Sequence, residues 1–271
     1  MITPTNIARS LLAIAILSCA IAGPAPAAPH NAPARHAPTH VRTRINLKDG
    51  AEMVYVPAGE FTMGDNDLNK EAYHCPEHRI YLDAYWTYKS DVTVAQYRKF
   101  CKATGRKMPP APRWGWKADH PVVNVTWYEA KAYCAWAGAA LPTEAQWEKA
   151  ARGTDGRRYP WGNDWDPGRL RWGPGGTAPV GSDPGGASPY GCLDMAGNVW
   201  QWCADWYDDN YYAHSPVRNP AGPATGTDRV VRGGSWSGSD EYVFRSAARD
   251  YWEPVDRDGY GGFRCVVRAG G

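Results

Sequence analysis

Four short motifs rich in tryptophan, glycine and arginine occupy the last third of this 271-residue chain. They are GNVWQW at 197–202, RVVRGGSW at 229–236, RSAAR at 245–249 and GGFRC at 261–265. With 14 Trp and 16 Tyr residues, the chain must bury much of its apolar area as aromatic rings, whose polar tips need partners. The 29 glycines and 23 prolines predict irregular backbone with few long elements.

The middle of the chain carries three helix signals. A threonine precedes each segment of helical spacing, as expected of an N-cap residue. The predicted helices cover 94–103, 127–137 and 144–152, and a glycine follows closely after each one. Upstream, the alternation at 53–64 predicts a strand entering a turn, and 78–93 predicts a second strand pair.

The N-terminus has the pattern of an export signal. Arg9 precedes an apolar run at 11–21, and Ala25-Pro26-Ala27 offers a small-residue cleavage site. The run is too short to span a bilayer as a mature helix. We therefore predict a signal peptide at 1–27 and a periplasmic or secreted protein. The alternative is a lipoprotein, because residues 16–19 also fit a lipobox that would make Cys19 the lipid anchor.

The mature chain is predicted to begin with a linker. Residues 28–45 are rich in Ala, Pro, His and Thr and predict a disordered segment. A folded domain is expected at 46–271. The formal net charge is +2, from 30 basic and 28 acidic residues, and there is no long run of either sign. This pattern excludes an electrostatic footprint for nucleic acid.

Together with VPAGEFTMG at 56–64 and LPTEAQWEKAARG at 141–153, the C-terminal motifs resemble the formylglycine-generating enzyme family, also called sulfatase-modifying-factor domains. The resemblance runs in the expected order over roughly 51–267. It implies one domain of the α+β class with a C-type-lectin-like fold. Short strands, about three helices and long ordered loops are expected.

The cysteine content fits an oxidising compartment. The resemblance implies a disulfide bridge between Cys134 and Cys265. For the remaining cysteines we consider two pairings, with free thiols as the alternative: Cys75 with Cys101, and Cys192 with Cys203.

The resemblance also shows that a catalytic feature is missing. In sulfatase-activating members, a cysteine pair a few residues beyond GGS holds copper and carries out the oxidation. Here 236–244 reads WSGSDEYVF, and the two positions fall near Gly238 and Glu241. Glycine has no ligand atom, and a carboxylate prefers harder ions than Cu(I). We therefore predict that copper-dependent formylglycine formation is absent, and the function must be argued separately from the fold.

Calcium is the cofactor that the resemblance favours. The family's calcium loop before the tryptophan motif matches Asp194, Gly197, Val199 and Gln201, where Asp and Gln supply oxygen donors. The alternative is a hydrogen-bonded turn that holds no ion.

Three residues are the candidates for catalysis if the chain is an enzyme. Ser235 lies at the family's active-site serine, and Trp200 at a tryptophan near the same cleft. Glu241 would act as an acid or base. In that case we expect a concave pocket that contains Glu241. The alternative is a structural role for Ser235 and Trp200.

The segment 235–262 mixes Tyr and Trp with Ser, Gly and Asp, the composition that binding loops favour. The predicted ligand-binding surface comprises Trp236, Asp240, Tyr242, Arg245, Arg249, Tyr251, Trp252 and Tyr260. We predict a binding or maturation-accessory module for a peptide, a glycan or an envelope protein, with its aromatic residues on an open face.

Two alternatives to a binding module stay open. One is a cysteine-independent oxidase or other modifying enzyme, because the resemblance includes an exported relative without the pair that acts in siderophore maturation. The other is a ligand-binding protein whose C-terminal region is diversified.

Overall fold

The computed structural model describes residues 41–66 and 74–270. The predicted signal peptide at 1–27, Cys19 and most of the predicted linker lie outside the described residues. Among the residues that it does describe, no helix has the length and apolar character needed to cross a bilayer.

Three helices begin where the threonine caps predict them. They are α1 (Val94–Thr104), α2 (Trp127–Trp136) and α3 (Glu144–Arg152). Each has a complete capping box, in which the threonine hydroxyl and the side chain three residues later satisfy each other's backbone N–H groups. The helix predictions are confirmed. A short α4 (Tyr211–His214) follows, and the sequence did not predict it.

In the described residues, ten short strands accompany the helices. In chain order they are β1 (Thr43–Ile45), β2 (Glu52–Val56), β3 (Gly59–Met63), β4 (His78–Leu82), β5 (Tyr85–Tyr88), β6 (Trp200–Trp206), β7 (Arg229–Arg232), β8 (Arg249–Trp252), β9 (Gly261–Gly262) and β10 (Val266–Arg268). They form an antiparallel sheet β1-β2-β5-β10, a β3-β4 pair and a mixed sheet β8-β7-β6-β9. The predicted α+β architecture with short strands is confirmed.

The strand predictions need three corrections. The predicted linker ends too late, because β1 already pairs with β2 (Arg44 opposite Met53). The single strand predicted at 53–64 is two strands, β2 and β3, interrupted at Pro57 and Ala58. The predicted pair at 78–93 is not a pair, since β4 joins β3 whereas β5 joins β2 and β10. An alternation of apolar and polar residues predicts a half-buried strand, but it does not predict which strand pairs with it.

Aromatic rings form much of the core, as the composition predicts. The indole nitrogens of the buried Trp127, Trp147 and Trp202 each donate to an acceptor. Trp147 Nε1 donates to Gln201 Oε1 at 2.7 Å, and Trp202 Nε1 donates to the carbonyl oxygen of Val125 at 3.1 Å. These bonds tie α3 to β6, the strand that carries the GNVWQW motif.

The fold brings one of the considered cysteine pairs together. The Sγ atoms of Cys134 on α2 and Cys265 before β10 lie 2.8 Å apart, and both residues are fully buried. Both are thiols in the structure, so the bridge stays a prediction. The other two pairings, Cys75 with Cys101 and Cys192 with Cys203, likewise stay predictions, because these four residues are thiols in the structure as well.

Candidate functional site

A network of buried charges joins α3 to the C-terminal sheet. Glu144 and Glu148 lie one helical turn apart and both face Arg232 of β7. Arg232 Nη1 donates to Glu144 Oε1 at 3.1 Å, and Arg232 Nη2 donates to Glu148 Oε2 at 2.5 Å. Arg249 of β8 donates to both oxygens of Glu144, from Nε to Oε1 at 2.6 Å and from Nη2 to Oε2 at 2.9 Å. A buried charge needs a partner of opposite sign. The two bonds to Glu144 therefore hold the Arg249 side chain in place.

Two titratable groups beside the network are held uncharged at neutral pH. Burial raises the pKa of the Asp205 carboxyl to about 8, and the nearby charge of Glu144 adds to this. Burial lowers the pKa of His74 to about 4, and the charges of Arg232 and Arg249 act in the same direction. The charges at this place therefore come from the glutamate–arginine pairs.

A hollow of about 400 Å³ lies beside Arg249, within the size range of small-ligand sites. Its walls come from β6 and the residues just after it, from the 3₁₀ turn Glu241–Phe244 and from β8. Four aromatic residues line it: Trp200, Tyr207, Tyr242 and Tyr251. Its charged lining consists of Asp209, Arg249 and Asp250. The hollow combines aromatic area with a few fixed polar groups.

The predicted ligand-binding surface is only partly gathered here. Of its eight residues, the structure places Tyr242, Arg249 and Tyr251 in the hollow. Trp252 and Tyr260 instead pack against each other, with ring centroids 5.5 Å apart, and against the main core cluster. The prediction of a continuous open aromatic face is therefore wrong, because Trp252 of β8 and Tyr260 pack against the core.

The other three surface residues have local partners. The Trp236 ring packs edge-on against Trp114, and its Nε1 donates to the carbonyl oxygen of Gly259 at 3.1 Å. Asp240 caps the 3₁₀ turn by accepting from the Tyr242 N–H, and the Arg245 guanidinium lies 5.8 Å from the Tyr242 ring centroid. Arg245 thus stays close to the hollow, whereas Trp236 contributes to a separate contact.

The three candidate catalytic residues do not line the hollow together. Trp200 lines it and is 8% exposed. Ser235 is fully buried, with its Oγ 2.9 Å from the Oγ of Ser237, and it is not part of the lining. Glu241 is exposed at the start of the 3₁₀ turn, also outside the lining. This arrangement favours the structural role for Ser235.

Comparison with known proteins is consistent with this architecture. Residues 39–269 match the sulfatase-modifying factor enzyme 1-like domain. The chain belongs to the sulfatase-modifying factor family. It is 37% identical to the formylglycine-generating enzyme of Streptomyces coelicolor, with 79% of this chain and 88% of that protein covered.

Solved structures of family-like proteins share the fold. PvdO from Pseudomonas aeruginosa is 28% identical with a TM-score of 0.74, covering 83% of this chain and 97% of that one. Treponema denticola variable protein 1 is 25% identical with a TM-score of 0.71, covering 85% and 99%. The fold of the sulfatase-modifying factor family thus extends over most of this chain.

The position near Gly238, where the resemblance places a copper cysteine, is closed by packing. A Cβ atom placed on Gly238 would lie 2.6 Å from Cζ of Phe244 and 3.2 Å from Cγ2 of Val243. The Phe244 ring is fully buried and stacks on Trp165 with centroids 5.7 Å apart. Trp172 Nε1 also holds the carbonyl oxygen of Gly238 at 2.6 Å. The space that a cysteine side chain would need at 238 is therefore already filled.

Restoring cysteine at this position should damage the fold rather than create a copper site. We expect Gly238→Cys to lower the free energy of unfolding by about 1–3 kcal/mol, the usual cost of overpacking. Gly185→Cys is the matched control, because its Cβ would meet only Arg169 Cγ at 3.8 Å, an ordinary contact. Urea denaturation of the three proteins measures the difference. Equal free energies of unfolding for the two variants would contradict the claim that the space at 238 is filled.

The residues of the predicted calcium loop are engaged in hydrogen bonds instead of pointing free oxygen atoms at an ion site. The side-chain oxygen of Gln201 accepts hydrogen bonds from Trp147 Nε1 at 2.7 Å and from Arg264 Nε at 2.6 Å. An amide oxygen has two lone pairs, and both are used. Gln201 Nε2 donates to the carbonyl oxygen of Asp194 at 2.6 Å. Gln201 therefore has no lone pair left for a metal ion.

A fixed cation already lies beside this loop. The fully buried Arg264 donates through Nη2 to the carbonyl oxygens of Leu193 and Asp194, at 2.7 and 3.1 Å. The Asp194 carboxylate accepts the Gly181 N–H at 2.7 Å, and burial raises its pKa to about 6. Because a guanidinium would repel a divalent cation, the residues as arranged do not fit the calcium ion that the loop predicted.

We accordingly expect chelation to leave the thermal midpoint unchanged. Adding EGTA to the purified protein should produce no shift, whereas a site saturated at 100 times its Kd would supply about 2.7 kcal/mol. Differential scanning calorimetry makes the comparison. A fall of several degrees that the Asp194→Ala variant does not show would restore the calcium prediction.

Proposed function

We propose that this chain is an exported binding module of the sulfatase-modifying factor family that does not form formylglycine by copper chemistry. The hollow carries this proposal. Among the described residues that line it, none is a cysteine, histidine, serine or lysine, and Phe244 fills the space beside Gly238, where the resemblance places a copper ligand. What the hollow offers is aromatic area with fixed carboxylate and guanidinium groups, which suits recognition rather than nucleophilic or thiolate chemistry.

The rigidity of the walls supports binding. Trp200 is anchored in β6 through its backbone N–H, which donates to the carbonyl oxygen of Tyr260 at 2.8 Å. Tyr207 and Tyr251 stack with ring centroids 4.2 Å apart. Arg249 is held at its buried end by two bonds to Glu144. A site whose side chains are already ordered loses little conformational entropy when a ligand binds.

The proposed setting is the cell envelope or the medium. The export signal at 1–27 would deliver the chain to the periplasm or beyond, or Cys19 would anchor it as a lipoprotein. We propose that Cys134 and Cys265 form a disulfide there, because such compartments are oxidising. The partner would be a peptide, a glycan or an envelope protein, and the module would act on it by binding or in its maturation.

A second candidate is a modifying enzyme that works without the cysteine pair. The likeness to PvdO, over 97% of that chain, favours it. It differs from the binding module in one measurable respect, since an enzyme turns its ligand over.

Copper retention tests the proposed function. The purified full chain would be incubated with Cu(I) under reducing conditions and dialysed, beside a sulfatase-activating relative that has the cysteine pair. We expect copper to remain with the relative and to be lost from this chain, because no soft-ligand pair is available at 238 and 241. Retention of one copper per chain would overturn the proposal.

A further inference from the structure

The described residues that line the hollow include more carboxylates than cationic groups. Asp209 and Asp250 both line it, and Asp250 is half-buried at the start of β8. Among the described lining residues the cation is Arg249, whose Nε and Nη2 donate to the two oxygens of Glu144, a carboxylate that Arg232 also contacts. Of the described lining residues, a ligand therefore faces two carboxylates and one guanidinium that already donates to Glu144.

The aromatic walls add to this preference for positive charge. Tyr251 is 48% exposed and stacks on Tyr207, whose hydroxyl donates to Asp209 Oδ1 at 2.7 Å. Arg249 already contacts the Tyr207 ring, 4.8 Å from its centroid. Tyrosine faces carry the negative end of the ring quadrupole and attract cations within about 6 Å. The exposed ring of Tyr251 and the half-buried ring of Tyr242 extend this attraction into the hollow.

We propose that the hollow binds an organic ammonium group, which lies against Tyr242 and Tyr251 and is balanced in charge by Asp209 and Asp250. This inference rests on the proposed binding function and names the chemical class of its ligand. An anionic ligand is disfavoured, since it would approach two carboxylates while the Nε and Nη2 donors of Arg249 are already engaged by Glu144.

Isothermal titration with a charged and an uncharged probe of one shape tests the proposal. Choline carries a quaternary ammonium, and 3,3-dimethylbutan-1-ol replaces its nitrogen by carbon. The full chain should bind choline saturably and bind the alcohol at least about tenfold more weakly, as expected for a desolvated cation–π and carboxylate contact. Butylamine and butylguanidine extend the series to a primary ammonium and a guanidinium.

Two variants place the binding in the hollow. Asp250→Asn removes the charge at constant shape, and Tyr251→Ala removes the ring. Each should weaken choline binding about fivefold or more. Tyr128→Ala is the matched control, because Tyr128 is 53% exposed and does not line the hollow. It should leave choline binding unchanged.

Each outcome decides the ammonium inference without deciding the proposed function. Equal binding of choline and the alcohol, or preferential binding of butylguanidine, would overturn the ammonium assignment. So would an absence of choline binding, or choline binding that Asp250→Asn and Tyr251→Ala leave intact. In all of these cases the copper-retention test still stands, because it measures the position at 238 rather than the hollow.

Discussion

Replacing Arg232 by methionine is expected to lower the free energy of unfolding by about 3–5 kcal/mol. Arg232 is fully buried and pairs with both Glu144 and Glu148. Its loss leaves Glu148 Oε2 and the buried carbonyl oxygens of Ser246 and Ala247 without the donors that Arg232 supplies. Arg152 and Arg249 still face the two glutamates, but neither replaces these bonds. Equilibrium denaturation in urea gives the difference.

The control for this change is a surface pair of the same chemistry. Arg79 pairs with Glu60 at 2.7 Å, and the two side chains are 74% and 57% exposed. Arg79→Met should therefore cost no more than about 1 kcal/mol. An Arg232 variant as stable as the Arg79 variant would show that the network does not hold α3 to the C-terminal sheet.

Reduction of the protein, prepared under oxidising conditions, is expected to lower its free energy of unfolding by about 2–5 kcal/mol. The proposed bridge between Cys134 and Cys265 closes a long loop, and cross-links of this kind mainly restrict the unfolded chain. Before reduction, peptide mapping should recover the two segments as one linked species. Cys203→Ser keeps that bridge and should respond to reduction as the parent does, whereas Cys134→Ser should not respond.

The disulfide prediction fails in a distinct way. If non-reducing peptide maps recover the segments of Cys134 and Cys265 separately with free thiols, the two sulfurs 2.8 Å apart remain unlinked. The fold would then depend on packing alone at this place.

Local signals predicted the helices because capping is a local interaction. Thr93, Thr126 and Thr143 each need only the next few residues to satisfy the backbone N–H groups of the first turn. The motifs likewise predicted the family and the fold. Strand pairing was harder to predict from the sequence. Only two residues separate β4 from β5, yet the two strands belong to different sheets.

The site was harder to predict because its chemistry depends on contacts across the fold. Glu144 and Glu148 have the spacing of one helical face, beside Trp147, and this was the available signal of a buried acid pair. Only the structure shows that Arg232 and Arg249 meet them. The donor types at Gln201 similarly suggested calcium, but a residue type does not reveal that Trp147 and Arg264 use both of its lone pairs.

The proposed absence of copper-dependent oxidation is tested most directly by oxygen consumption. The purified protein, supplied with copper, a thiol reductant and a cysteine-bearing sulfatase-motif peptide, should consume no more oxygen than the same mixture without protein. The peptide cysteine should remain unchanged by mass spectrometry, while a sulfatase-activating relative converts it. Oxygen uptake with formation of the aldehyde would contradict the account and show that other ligands replace the missing thiolates.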